Sequence, residues 1–248
     1  MGVPKCLFSY YGGKSKVARL YPPPRFPLIV EPFGGSAAYA YHHSTARALV
    51  NDLKPAVRQV YAFLRRPDAA DWVSALVRPA YAAGDFAARD VLAAGGPEGL
   101  AWWLALDSMS GKYQPTIERP LTPWAAVKGL AHARSRYLTI IAATRRWEFT
   151  GGDYRALPDV EATWFIDPPY SGQPGRVYQM PALDYDELAE WCRTRKGQVI
   201  VCEDASARWL PFRRLSSIRG MRVTTEGVWV NDPAEIVGVN NGVSLFEL

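Results

Sequence analysis

Short apolar runs that stop at turn residues dominate the start of the chain. PLIVEPF, residues 27 to 33, predicts a buried strand running into a turn. SAAYAYHHS, which follows, has helical character, with Ser36 as its expected N-cap. ARALVND, 46 to 52, predicts a second strand, and a helix from about Pro55 to Leu64 then opens on proline. Strand, helix, strand and helix in that order begin an α/β sheet.

The pattern changes after residue 66. Residues 67 to 146 are rich in Ala, Trp and Arg, with mostly helical periodicity, broken by the irregular stretch SGKYQPTIERPLTP. Strand signals return at WEFTGG, TWFIDPP and QVIVCED, with a helix from roughly Asp184 to Arg195 before the last of these. MRVTTEGVWV and GVSLFEL predict two more strands with no helix between them, hence an antiparallel pair. The expected organisation is a sheet domain over 1–55 and 147–248, interrupted by a mainly helical insertion over 56–146.

Composition narrows the function classes. A chain of 248 residues can bury a sizeable core. Charges or prolines interrupt every apolar run before membrane-spanning length, and the N-terminus lacks a signal peptide's apolar segment, so a cytoplasmic protein is expected. Three cysteines and three histidines show no zinc-like or redox spacing, and no metal is expected. The net charge is +5. Between Ala56 and Thr150 twelve Lys or Arg face eight Asp or Glu, so +4 of that excess lies in the middle of the chain.

Candidate chemistry sits at the strand ends. EPFGGS follows a strand and opens a helix, where α/β folds bind ligands against a helix N-terminus. Asp52 ends the next strand, where such folds place an acid for ribose hydroxyls. Asp153 and Tyr154, in GGDY, follow a later strand and could frame an adenine ring. A phosphate-binding loop fits poorly: GGKS at 12 to 15 lacks the earlier glycine and a clear preceding strand.

DPPY, 167 to 170, breaks the strand TWFI. In isolation it is an ordinary turn, but its residues suit methylation of a nucleobase's exocyclic amine. The lone pair of that amine is delocalised into the ring. A carboxylate (Asp167) accepting one N–H and a carbonyl (Pro168) accepting the other would draw the nitrogen toward tetrahedral geometry. Consecutive prolines pre-aim that carbonyl. Tyr170 offers a face to an extruded base, and such stacking contributes on the order of 1–3 kcal/mol.

YYGGKSK (10 to 16), EPFGGS, NDL (51 to 53), GGDY and DPPY, in that order, resemble the Dam-like DNA adenine methyltransferases. The resemblance covers 8–54 and 147–172 in detail and 56–146 only in architecture. It implies a Rossmann-like S-adenosylmethionine-dependent methyltransferase sheet with an antiparallel last strand pair and an inserted helical target-recognition region. It also implies a donor site in which Tyr10 and Lys14 lie near the methionine end, and Phe33 and Gly35 in the turn beneath it. Asp52 would hold the ribose, Asp153 and Tyr154 would border the adenine, and Asp167 would contact both the donor's amino group and the target amine. Two departures stand out: Ala37 where many relatives carry glycine, and Glu203-Asp204 where relatives often carry Ser-Asn.

The implied partner is double-stranded DNA, bound by a monomer or by a weak dimer on DNA. Lys112, Tyr113, Arg119, Arg134 and Arg136 are the expected contacts, although arginines scattered through helices are often only a solvated face. The same tetrapeptide supports cytosine amino methylation, and a DNA-binding relative without turnover is the alternative from another class. Restriction partner, regulator and phage protection all remain open as roles.

Overall fold

The computed structural model describes residues 4–9, 12–76, 88–108, 116–118, 130–172, 183–219 and 223–232. Seven strands form one sheet: β1 (Leu28–Glu31), β2 (Arg47–Asp52), β3 (Glu148–Gly151), β4 (Ala162–Ile166), β5 (Gly197–Asp204), β6 (Arg213–Arg219) and β7 (Val223–Val230). Their order across the sheet is β3-β2-β1-β4-β5-β7-β6. The first five run parallel, while β7 is antiparallel both to β5 and to β6. Strand order reverses between β1 and β4, and a parallel sheet opens a ligand crevice at such a switch point. This is the expected Rossmann-like methyltransferase sheet, antiparallel last strand included.

The central strands are apolar because both faces are covered. β4 is buried at all five positions, and β5 at all but its two ends. One face carries α1 (Ala38–His42), α2 (Pro55–Leu64) and the helices of the middle segment: α3 (Ala69–Ser74), α4 (Arg89–Ala93), α5 (Glu98–Ser108) and α6 (Leu130–Ala143). The other carries α7 (Tyr185–Arg193), whose Leu188, Ala189 and Cys192 pack with Trp164 and Val199. Asp184 caps α7, accepting from the amides of Asp186 and Glu187 at 3.0 Å each.

The described middle helices are bonded into the sheet's own core. Leu100, Trp103, Tyr137 and Ile140 share one apolar cluster with Ile29, Val50 and Val57. Trp103 of α5 stacks on Tyr137 of α6 with centroids 3.9 Å apart, and its indole N–H donates to the carbonyl of Leu7 at 2.9 Å. Gly99 lets α5 meet α2 closely, since a Cβ there would lie 2.2 Å from the carbonyl oxygen of Gln59.

Two local expectations change. Ser36 does not cap α1; Ala37 stands at that position in the left-handed region and no side chain caps the helix. The antiparallel partner of β7 is β6, drawn from RRLSSIR, whose two apolar residues in seven gave no strand signal. GVSLFEL lies outside the described residues.

Candidate active site

The turn after β1 is built by β2. Gly35 holds a φ of +50°, in the left-handed region that favours glycine. Its amide donates to Asp52 Oδ2 at 2.8 Å, and the Lys54 amide donates to Asp52 Oδ1 at 2.7 Å. The Tyr61 hydroxyl donates to the Gly35 carbonyl at 2.8 Å, closing the turn from α2. Burial pushes the Asp52 carboxyl up, and the backbone amides that it accepts pull it partly back. The Asp52 carboxylate keeps acceptor capacity for a ligand hydroxyl beyond these amides.

Asn51 is the staple of this end of the sheet. Its Nδ2 donates to the carbonyls of Pro32 and Gly152, at 2.9 Å each, and its Oδ1 accepts from Thr150 at 3.1 Å. One side chain thus ties the loops after β1 and β3. The sequence showed NDL as a unit and gave Asn51 no separate role.

Phe33 and Tyr154 meet at these loops, with ring centroids 5.2 Å apart, and Trp191 stands edge-on to Tyr154 at 5.0 Å. The Tyr154 hydroxyl is buried and finds no partner among the described residues. A buried polar atom without a partner is costly, so it marks a place for a ligand's polar edge. Asp153 lies apart from these rings' contacts. It caps a short 3₁₀ turn by accepting from the Arg155 amide at 2.9 Å, and its carboxylate pairs with the Arg155 guanidinium at 2.6 Å.

Asp167 directly follows β4 at the switch point, and the chain brings Lys14 to it. Lys14 is 6% exposed, and its Nζ lies 2.8 Å from Asp167 Oδ1, 3.6 Å from Glu226 Oε1 and 3.2 Å from the carbonyl of Gly12. The ammonium also sits 4.8 Å from the centre of the Tyr170 ring. Burial alone would lower the pKa of Lys14, but Asp167, Tyr170 and Glu226 outweigh it and hold the group well above the lysine range. Burial pushes the Asp167 carboxyl up to about 6, against the pull of Lys14 and with help from Glu226 and Glu203.

The loop after Asp167 is held from three sides. Tyr185 donates to the Pro169 carbonyl at 2.6 Å, and Tyr170 donates to Glu226 Oε1 at 2.6 Å. Glu203 is fully buried and accepts from the Ser171 amide and the Trp209 indole, both at 3.0 Å. Glu203 therefore fixes the chain leaving DPPY. Glu31, 3% exposed at the end of β1, accepts from the Ala40 amide at 2.6 Å and is pushed by burial up to about 8.

The structure thus brings together Lys14, Asp167 and Tyr170, with Pro168 buried between the last two, and separately Gly35 with Asp52 and Phe33 with Tyr154. Tyr10, Lys112, Tyr113 and Arg119 lie outside the described residues. Arg134 is exposed. Arg136 has a structural task instead of a free surface: its guanidinium pairs with Asp107 and donates to the carbonyls of Cys6 at 3.0 Å and Leu7 at 3.2 Å. Glu226 and Tyr21 went unnoticed in the sequence, the one in a strand-like stretch and the other in a proline-rich one, while Glu203 stood out only as a departure from the resemblance.

A groove of about 380 Å³ runs between α2 and the edge strand β3, lined by Arg58, Gln59, Arg65, Phe149 and Thr150, apart from the Lys14–Asp167 pair. Among the described residues no group of three or more His, Cys, Asp or Glu could hold a metal ion, and no helix is long and apolar enough to cross a membrane.

Sheet order and strand directions define an α/β protein of the Rossmann-like methyltransferase fold. No protein-family model and no curated protein matches the chain. Among solved structures it is similar to the rRNA methyltransferase AviRa from Streptomyces viridochromogenes, at 13% identity over 85% of this chain and 78% of that one, with a TM-score of 0.38. A second structure of AviRa gives 13% identity over 86% and 78%, with a TM-score of 0.37.

Proposed function

We propose that this chain is an S-adenosylmethionine-dependent methyltransferase that acts on the exocyclic amino group of adenine in DNA. The observation that carries the reading is Asp167: a carboxylate at the end of β4, beside the strand-order reversal, with a lysine at 2.8 Å and an aromatic residue three positions on. The donor's charge fits its surroundings. Asp167 and Glu226 stand beside one buried lysine and Glu203 lies near Asp167, and such an acid-rich pocket favours a ligand that carries a sulfonium and an ammonium. The unpartnered Tyr154 hydroxyl beside Phe33 supports the adenine end of the same ligand.

When bound, S-adenosylmethionine supplies an electrophilic methyl group, whose transfer to the amine nitrogen leaves a neutral thioether and releases one proton. The chain's own residues prepare the amine. Asp167 accepts one N–H and Pro168 the other through its carbonyl, which localises the nitrogen lone pair. Tyr185 occupies the neighbouring carbonyl of Pro169, so the carbonyl of Pro168 is the one offered to the base. Tyr170 stacks on the extruded ring. The proton goes to Asp167, whose carboxyl, at about 6, is a competent acceptor near neutrality.

The test is direct. Purified protein is incubated with isotopically labelled donor and either duplex DNA or RNA, and the digested nucleosides are identified. Methylated adenine from DNA is expected. Methylated cytosine alone, product only in RNA, or no product would each sink the reading. Long-read mapping of DNA from expressing cells then reports the sequence context.

A further inference from the structure

Glu226 lies on β7, where it pairs in register with Asp204 of β5, and it is 3% exposed. One oxygen, Oε1, gathers three groups from distant parts of the chain. It accepts from the Tyr170 hydroxyl at 2.6 Å and from the Tyr21 hydroxyl, and lies 3.6 Å from Lys14 Nζ. Tyr21 is itself locked, edge-on to Phe165 of β4 with centroids 5.0 Å apart. The carboxylate is therefore fixed to the sheet from its own strand and, through Tyr21, from β4.

Two consequences follow for the site. Tyr170 has a phenol end and a backbone end; holding both fixes the long axis of its side chain, and a stacking platform works best if it is in place before the base arrives. Lys14 matters as well. In this structure it occupies Asp167, the carboxylate that must accept an N–H from an incoming amine. When the amine takes that place, a buried ammonium needs another counter-ion, and Glu226 is within a short swing of the lysine side chain.

We propose that Glu226 is a positioning residue of this site, fixing the place of the Tyr170 side chain and receiving Lys14 when Asp167 takes up the amine. The first half stands on the contacts alone, and the second rests on the methyl-transfer reading. Glu226 touches no reacting atom; it acts through Tyr170 and Lys14.

The experiment compares wild type, E226Q and E226A. Tyrosine is labelled with carbon-13, the Tyr170 ring signal is assigned with Tyr170→Phe, and methyl transfer to DNA is measured on the same preparations. Gln can still accept the phenol proton but carries no charge. E226Q should keep the Tyr170 signal near its wild-type position. In E226A that signal should move. In both variants kcat should fall by roughly tenfold while the donor KM stays within about twofold. An unmoved Tyr170 signal in E226A overturns the first half, and an unchanged kcat in E226Q overturns the second. Should E226A fail to fold, Tyr170→Phe replaces it: a kcat as high as wild type shows that the phenol anchor does nothing and overturns the first half. If the wild type moves no methyl group, the methyl-transfer reading and the second half fall together. The Tyr170 signal still decides the first.

Discussion

Lys14 Nζ lies 2.8 Å from Asp167 Oδ1, so the acid at the end of β4 already holds a cation before any ligand arrives. That contact makes a pH prediction with a definite sign. Burial raises the Asp167 carboxyl to about 6, and Lys14 pulls it down from where burial alone would leave it. Only the ionised form can take the proton released on transfer, and it is the stronger acceptor of the base's N–H. The single-turnover rate of methyl transfer at saturating donor should therefore rise with pH through about 6 and level off above it. Lys14→Met removes the downward pull, so its midpoint should move higher. Asp167→Asn should abolish transfer and leave a folded protein. A flat profile between pH 5 and 8, or a midpoint that falls in Lys14→Met, contradicts the assignment.

Glu31 carries a separate pH signature, in stability. Its carboxyl, pushed by burial up to about 8 and held by the Ala40 amide, keeps a proton that the unfolded chain would have lost. The folded state thus binds more protons between the ordinary carboxyl range and pH 8. The stability contribution is complete at acidic pH and is lost as pH rises through the folded value. The limiting slope is on the order of 1 kcal/mol per pH unit. Glu31→Gln mimics the neutral acid, so its melting temperature should decline less than that of wild type from pH 5 to 8. Parallel curves for the two proteins would mean that Glu31 is already ionised.

The two arginines of α6 should separate in a salt titration. Arg136 pairs with Asp107 where both side chains are under a fifth exposed, at 17% and 19%, and it ties α6 to the N-terminal segment. Arg136→Ala should cost about 2 kcal/mol of stability, discounted from a fully buried pair for the remaining solvent. It should leave the salt dependence of DNA binding unchanged. Arg134 is exposed, and if it meets a phosphate, Arg134→Ala should reduce the slope of log K against log salt by about 0.9 with little effect on stability. Equal slopes for Arg134→Ala and wild type remove Arg134 from the DNA surface. A smaller slope for Arg136→Ala would return Arg136 to it.

These residues mark where the sequence was legible. β1, β2, β4 and β5 announced themselves as apolar runs because both of their faces are covered, and DPPY and EPFGGS showed themselves by breaking such runs. Contacts between segments left no local trace. Glu226 reaches Tyr170 across 56 positions and Tyr21 across 205, so nothing within a window around TTEGV reports either partner. Arg136 looked like a surface cation because its partner, Asp107, lies 29 positions away on another helix. β6 was hidden for a different reason: as the outermost strand it has a neighbour on one side only, and its residues need not be apolar.

Ala37 supplies a last prediction, on the position where this chain departs from the glycine of its resemblance group. Its φ is +49° and its ψ +45°, the left-handed region that costs an L-residue with a Cβ roughly 1 kcal/mol or more. The turn imposes it: the Ala37 amide donates to the carbonyl of Gly34 at 2.6 Å, and its carbonyl accepts from the Tyr41 amide at 2.9 Å as α1 begins. The alanine methyl offsets part of that strain, because the residue is wholly buried in the apolar cluster. Glycine would remove the strain, lose the methyl's burial of about 0.8 kcal/mol, and add freedom to the unfolded chain. These terms nearly cancel, so Ala37→Gly should change stability by less than about 1 kcal/mol in denaturant unfolding. Ala37→Val, with a β-branched side chain at the same positive φ and no space around it, should lose at least about 2 kcal/mol. A valine variant as stable as wild type would show that the turn can leave the left-handed region, and with it the close seat of Gly35 against Asp52.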